Sequence, residues 1–157
     1  MYAVLHPPNF SAQAAAHERP ELRKLPFVLL DGEYPEETVF AANKAARSLG
    51  VDLGMRRLQA ESFPEVISLP RILEHESSAH TTLHTIACMF SPRIEYVETH
   101  PGTYALDIQG MNTLYGDAAQ LANKLRHRVM AAGFLANVAV AQNFAGKTAA
   151  ERNGRAG

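Results

Sequence analysis

Two stretches of the chain carry apolar residues at spacings of three and four, the period of a helix with one buried face. The first covers residues 73–90 and predicts a long amphipathic helix. Its predicted buried positions are Ala79, Leu83, Ile86, Ala87 and Phe90.

The second helical stretch is GDAAQLANKLRHRVMAAG, which has the clearest start and stop signals in the chain. Asp117 is a typical N-cap with Gln120 three positions later, and Gly133 follows the last periodic residue. Its apolar stripe is Leu121, Leu125 and Val129.

Two further helices are predicted earlier in the chain. The run FSAQAAA over 10–16 has the alanine content of a helix. A longer helix is expected to open at Pro35 and to end at Gly50, because proline suits the first helical position and glycine the end. Its apolar face would be Val39, Ala42, Ala46 and Leu49.

Short apolar runs bounded by proline, glycine and aspartate predict the strands. They are YAVL over 2–5, FVLL over 27–30, the runs over 93–98 and 104–108, and ANVAVA over 136–141. Between the third and fourth runs, Pro101 and Gly102 predict a type II turn, because proline presets the first central φ and glycine supplies the positive φ that follows.

The order of these elements predicts an α+β fold. Without the segment 19–68, the chain follows a ferredoxin-like split βαββαβ pattern with helices on one face of the sheet. We therefore predict a discontinuous domain over 1–18 and 69–145, a small helical insertion over 19–68, and a polar tail over 146–157.

Charge and cysteine content narrow the function classes. Fifteen basic residues against sixteen acidic ones leave no global field that would draw the chain onto nucleic acid. Cys88 is the sole cysteine, so no disulfide forms within one chain and a reducing compartment is favoured. We expect Cys88 to be a buried thiol and the protein to be cytoplasmic, with no membrane partner.

Two short segments resemble parts of known binding motifs, and each also has a purely structural explanation. AQNFAGKT, with Lys147, resembles a phosphate loop but has Ala141 in place of the first glycine. His80 and His84 lie four apart on the predicted helix, with Glu76 one turn earlier, which is a metal-ligand spacing. The helical pattern places the histidines beside the apolar stripe and favours a partly solvated polar face over a zinc site.

Lys44 and Arg47 lie three apart on the helix predicted to open at Pro35. Like charges at this spacing repel each other, and a bound anion turns the repulsion into attraction. A solvated face and a phosphate-binding face are both compatible with the pattern.

Several segments together resemble the Y-family (UmuC/DinB-like) translesion DNA polymerases. PELRKLPFVLL followed by ETVFAANKAARSLGVDLGM is similar to the family's fingers lobe. FSPRIEYV, YALDIQGMNTLYG, LANKLRHRV and NVAVAQN are similar to its palm, in the same order. The resemblance covers residues 2–143 and implies a palm-like domain with a fingers-like insertion.

The resemblance also implies positions for the family's functional residues. The triphosphate-contacting arginine falls on Arg47, and its neighbouring tyrosine falls on Lys44. Anion binding at these two residues is therefore expected.

The positions of the family's metal-binding acids carry other residues in this chain. The two acids of the first strand fall on His6 and Pro8, and the Asp-Glu pair of the palm hairpin falls on Gly102 and Thr103. Active members use Mg²⁺, which prefers carboxylate oxygens. We therefore expect no metal and no cofactor here, and regard these four as vacated catalytic positions. Asp107 is retained, but the family has an aspartate at that point outside the metal site.

Because these positions lack acids, the chain resembles the ImuB-like proteins. These are catalytically degenerate relatives that act as adaptors for another polymerase. The implied role is that of an inactive accessory protein in DNA repair, with weak DNA binding and with repair or replication proteins as partners. Family members continue into thumb and little-finger domains, so the chain is expected to be a truncated copy. Two alternatives stay open: a residual or partner-dependent polymerase that recruits Glu98 and Asp107, and an assembly module unrelated to DNA.

Overall fold

The computed structural model describes residues 1–142, which contain seven strands and six α-helices. The elements are β1 (Tyr2–His6), α1 (Phe10–Glu18), β2 (Phe27–Asp31), β3 (Thr38–Ala42), α2 (Lys44–Ser48), α3 (Arg57–Glu61), β4 (Ile67–Pro70), α4 (Leu73–Phe90), β5 (Ile94–Tyr96), β6 (Tyr104–Asp107), α5 (Asn112–Tyr115), α6 (Ala118–Ala131) and β7 (Asn137–Ala141). A 3₁₀ turn over Pro20–Lys24 lies between α1 and β2. The polar tail predicted over 146–157 and the Lys147 motif lie outside the described residues.

The chain divides into two units. Of the described residues, one unit, here the discontinuous unit, comprises residues 1–8 and 80–142; the other, the middle unit, comprises residues 9–79. Within residues 1–142, no helix has both the length and the apolar character that crossing a bilayer requires.

The discontinuous unit is built on a four-stranded sheet with the order β5-β6-β1-β7. Every neighbouring pair is antiparallel. With α4 between β1 and β5 and α6 between β6 and β7, the connectivity is βαββαβ. This confirms the predicted α+β, ferredoxin-like architecture.

The helices of this unit follow the predicted periodicity. All five predicted stripe positions of 79–90 are buried, and the stripe of α6 is at most 1% exposed. Asp117 caps α6 by accepting a hydrogen bond from the Gln120 N–H at 2.8 Å, and the Asp117 N–H in turn donates to the Gln120 side-chain oxygen at 2.9 Å. These reciprocal bonds satisfy two donors at the start of the helix.

The middle unit contains a three-stranded sheet in addition to its helices. Its order is β3-β2-β4, with β2 antiparallel to β3 and parallel to β4. The first four residues of β2 are all buried. Val28 and Leu30 join one apolar cluster, whereas Phe27 and Leu29 join another. The central strand is therefore covered on both faces, which explains why it reads as a continuous apolar run.

The helix predicted to open at Pro35 is wrong in its first half. Residues 38–42 form β3, in which Val39 and Ala41 are buried while Thr38 and Phe40 are exposed. Val39 and Ala42 fit the helical spacing, but residues 38–41 also alternate between exposed and buried positions, as a strand does. Pairing with β2 favours the strand. The helix begins at Lys44 and Gly50 follows it with φ 108°, as expected for a residue after a helix end.

The expectation of a buried thiol is also wrong, because Cys88 is exposed. Ala87 and Phe90 complete the buried stripe of α4, and a single-residue step turns Cys88 away from it by about 100°. Cys88 lies four residues after His84, which is likewise exposed. These two residues share the solvent side of the helix.

Candidate active-site position at the β5–β6 hairpin

The structure brings His6 and Thr103 into direct contact. Leu5 pairs with Tyr104 across β1 and β6, so His6 at the end of β1 lies beside Thr103 on the next rung. His6 Nδ1 and Thr103 Oγ1 are 2.7 Å apart and share a hydrogen bond. Thr103 is 4% exposed, so its hydroxyl is committed to this contact rather than to bulk solvent.

The tip of the hairpin is the turn that the sequence predicts. Gly102 has φ 76°, and the Thr103 N–H donates to the His100 C=O at 3.1 Å across Pro101. A glycine with positive φ after proline is the signature of a type II turn. The backbone at Gly102 is buried, and the turn delivers Thr103 to His6.

A second histidine approaches the same position. The rings of His6 and His100 are 6.2 Å apart between centroids and nearly perpendicular. His100 Nδ1 is 3.0 Å from Thr99 Oγ1, within hydrogen-bond distance. The pKa of His6 is lowered, first because burial disfavours the charged imidazolium and second because His100 adds positive charge nearby. Nothing in the spacing of the sequence signals His100.

The side chains at the four positions that the resemblance aligns with metal-binding acids do not fit Mg²⁺. His6 offers a ring nitrogen and Thr103 a neutral hydroxyl, whereas Gly102 has no side chain and the side chain of Pro8, in the exposed turn after β1, has no ligand atom. Mg²⁺ prefers charged oxygen ligands in octahedral geometry. Among residues 1–142, no three His, Cys, Asp or Glu side chains are grouped to hold a metal ion.

The two carboxylates considered as substitutes are placed differently. Glu98 is exposed in the hairpin loop. Asp107 contacts Arg93 at 3.4 Å and accepts a hydrogen bond from the Gln109 N–H at 3.1 Å. The Asp107 carboxylate is therefore already bound by the Arg93 side chain and the Gln109 N–H.

Lys44 and Arg47 lie on the short helix α2, and both are exposed. The side chain of Asn43 fixes the start of this helix. Its oxygen accepts from the N–H groups of Ala46 at 3.0 Å and Phe27 at 3.1 Å. Among the residues described, neither cation has an acidic partner within ion-pair distance. Both charges are thus available to an anion from solvent.

The two histidines with metal-ligand spacing, His80 and His84, lie in different surroundings. His80 Nδ1 is 3.2 Å from the Tyr104 hydroxyl, and its ring packs edge-on against Tyr96 at 5.1 Å. Burial raises the pKa of Tyr104 to about 12, so this phenol stays protonated. His84 is exposed. Glu76 is held by Arg71 at 2.8 Å, and the zinc triad considered in the sequence does not form.

Comparisons with known proteins identify the class of this domain. Its fold is that of solved DNA polymerase domains of the Dbh and DinB type. An insertion ternary complex of Dbh DNA polymerase aligns over 92% of this chain and 43% of that chain, with a TM-score of 0.76 and 22% identity. DinB from Sulfolobus solfataricus aligns over the same shares, with a TM-score of 0.75 and 21% identity.

The chain belongs to the impB/mucB/samB family, whose sequence profile matches residues 6–150. DNA polymerase IV from Dehalococcoides mccartyi is 30% identical over 139 residues, which is 85% of this chain and 35% of that protein. The chain thus spans about a third of the length of this relative. The Y-family resemblance stated from the sequence is confirmed.

Proposed function

We propose that this chain is a non-catalytic Y-family domain of the ImuB-like kind. It would serve DNA repair and lesion bypass as an accessory or adaptor protein, working in the cytoplasm through other repair or replication proteins. The relative with a polymerase name supports the link to DNA synthesis. In this proposal residues 19–68 are the fingers-like insertion, and residues 1–18 with 69–145 are the palm-like domain.

The observation that carries the proposal is the His6–Thr103 hydrogen bond of 2.7 Å. The resemblance aligns these residues with two metal-binding acids. Phosphoryl transfer by two metal ions needs ligands that hold the ions about 3.5–4 Å apart. An imidazole bonded to a neutral hydroxyl supplies neither the negative charge nor the carboxylate oxygens for that arrangement.

A primer-extension assay tests the proposal directly. The chain is incubated with a primed template, all four nucleotides and either Mg²⁺ or Mn²⁺, and no template-dependent product is expected. Product formation that disappears in Asp107→Ala while the fold stays intact would overturn the proposal in favour of a residual polymerase. A full-length Y-family polymerase serves as the positive control.

Lys44 and Arg47 form the proposed anion-binding part of the domain. Both are exposed and without an acidic partner among the described residues, and a guanidinium fork suits phosphate oxygens. We expect weak binding of triphosphate and of DNA, because few basic contacts release few counterions.

The matched experiment compares two double variants of equal charge. Lys44→Ala/Arg47→Ala should weaken the binding of a nucleoside triphosphate in EDTA by roughly tenfold. Arg23→Ala/Lys24→Ala, which removes the same charge from another exposed part of the middle unit, should leave it within about twofold. Equal losses in both variants would show nonspecific charge attraction.

The adaptor role has its own test. The tagged chain is recovered from cells before and after ultraviolet irradiation, and its bound proteins are identified. Replication or repair proteins enriched after irradiation support the role. Their absence, with unrelated partners bound under both conditions, would favour the assembly module instead.

A further inference from the structure

His84 and Cys88 place a nitrogen and a sulfur donor side by side on the solvent side of α4. Cys88 Sγ is 3.8 Å from His84 Nδ1 and 3.9 Å from Nε2. Both residues are exposed, since the opposite side of the helix forms the buried stripe. The two side chains are therefore accessible together.

The separation of these atoms matches that of two ligands on one zinc ion. In a tetrahedral site, Zn–N distances of about 2.0–2.1 Å and a Zn–S distance of about 2.3 Å place nitrogen and sulfur about 3.6 Å apart. The observed distances exceed this by a few tenths of an ångström. Binding requires both side chains to rotate so that a ring nitrogen faces the ion, and the His84 ring then shifts relative to the Tyr104 ring, whose centroid is 5.9 Å away.

His80 is not required as a third ligand. Its Nδ1 lies 3.2 Å from the Tyr104 hydroxyl, and its ring packs against Tyr96. A site formed by His84 and Cys88 therefore has two protein ligands, with water at the other positions. This agrees with the finding that no three such side chains are grouped within residues 1–142.

We propose that His84 and Cys88 chelate a thiophilic transition-metal ion of the Zn²⁺ class. Imidazole and thiolate are the ligands such ions prefer, whereas Mg²⁺ prefers carboxylate oxygens. Binding converts the Cys88 thiol to a thiolate and releases its proton to solvent. The site is separate from the vacated acid positions and stands whether or not the accessory role is correct.

The experiment titrates Co²⁺, a spectroscopic substitute for Zn²⁺, into the full chain in a non-thiol reductant. Because Cys88 is the sole cysteine, a thiolate-to-cobalt charge-transfer band reports this site alone. We expect the band to saturate and to disappear when Zn²⁺ is added. Cys88→Ser should abolish it, and His84→Ala should weaken Co²⁺ binding by at least about tenfold.

His127→Ala is the matched control, because His127 is also an exposed histidine on a helix. This variant should bind Co²⁺ within about twofold of the parent chain. Circular dichroism confirms that each variant is folded. One metal per two chains would still support the pair, with a second copy completing the coordination. A missing band, or a His84→Ala variant that binds like the parent, would overturn the proposal.

A second readout uses the reactivity of the thiol. Saturating Zn²⁺ should slow alkylation of Cys88 at least about tenfold in the parent chain, because a coordinated thiolate is a poorer nucleophile. In His84→Ala the protection should be largely lost. Equal protection in both chains would show that Zn²⁺ binds the sulfur without the histidine.

Discussion

His6 Nδ1 and Thr103 Oγ1 are joined by a 2.7 Å hydrogen bond, although 97 residues separate them in sequence. The contact depends on the pairing of β1 with β6 and on the turn at Pro101 and Gly102. It places a neutral pair where the family resemblance aligns two acids. The first three predictions concern this pair and its neighbour His100.

His6 should titrate below the usual histidine value of 6.5, and its neutral form should stabilise the fold. Because the folded pKa is the lower one, the unfolded chain binds more protons as the pH falls through 6.5. Stability should therefore decrease on acidification. Urea unfolding at about pH 7.5 and about pH 5.5 should show a smaller decrease for His6→Gln than for the parent chain.

His100→Ala separates the two causes of this shift. Removing the nearby positive charge should raise the pKa of His6, but burial should keep it below the usual value. Imidazole NMR signals followed against pH measure both effects. An unchanged His6 pKa in this variant would show that His100 exerts no electrostatic influence.

Introducing two carboxylates at these positions should create affinity for hard divalent ions. In His6→Asp/Thr103→Glu the two acids occupy neighbouring positions, and they repel each other until an ion binds. Mn²⁺ should raise the melting temperature of this double variant but not that of the parent chain. His6→Asp alone should respond less. A parent chain that gains equal stability from Mn²⁺ would contradict the donor-set argument.

Substitution of Asn43 should destabilise the middle unit. Besides capping α2, its amide donates to the Leu25 C=O at 2.6 Å. Asn43→Ala should cost about 1 kcal/mol for the cap, and about 0.5–1.5 kcal/mol for each further hydrogen bond.

Two variants serve as references for Asn43. Asn43→Asp keeps the capping oxygen and loses the bond to Leu25, so its cost should be intermediate. Ser48→Ala removes an exposed side-chain bond to the Lys44 C=O and should cost much less. Urea denaturation measures all three, and equal losses in Asn43→Ala and Ser48→Ala would refute the prediction.

Arg71 should stabilise the middle unit more than a typical surface arginine. It binds Glu76 through two hydrogen bonds at 2.8 and 3.0 Å and stacks on the Phe40 ring at 3.7 Å. Arg71→Ala should cost about 1.5–3 kcal/mol, because it leaves a mostly buried Glu76 carboxylate without its charged partner.

Arg71→Lys should recover part of this loss, since lysine keeps the charge but lacks the planar fork. Arg19→Ala is the control, because Arg19 and Glu21 are both about half-exposed and no measurable change is expected. Chemical denaturation compares the three variants. A loss in Arg19→Ala as large as that in Arg71→Ala would contradict the argument from burial.

The fold was largely predictable because its two long helices have strong local signals. The stripe of α6 and its Asp117 cap follow from spacing alone, as does the buried face of α4. The errors occur where two periods overlap or where a strand is short. Val39 fits both a helix and β3, and β4 has four residues ending in a proline.

The candidate site was less predictable than the fold. Family resemblance supplied the positions of His6 and Thr103, but no local pattern specified their hydrogen bond or the approach of His100. The sequence pattern did not predict the exposure of Cys88, because Cys88 directly follows a buried residue and one step along a helix is enough to move from the buried to the exposed side. Tertiary contacts determine side-chain hydrogen bonds and the exposure of residues at the edge of a helix stripe, and periodicity alone does not predict either.

The position of β1 in its sheet has a consequence for synthesis of the chain. β1 lies between β6 and β7, which follow it by about a hundred residues, so its pairing is highly non-local. At translation rates of about 5–20 residues per second, β1 leaves the ribosome about 5–20 s before its partners. All strands of the middle unit emerge within that interval. The middle unit is thus able to fold while β1 still lacks both of its partner strands.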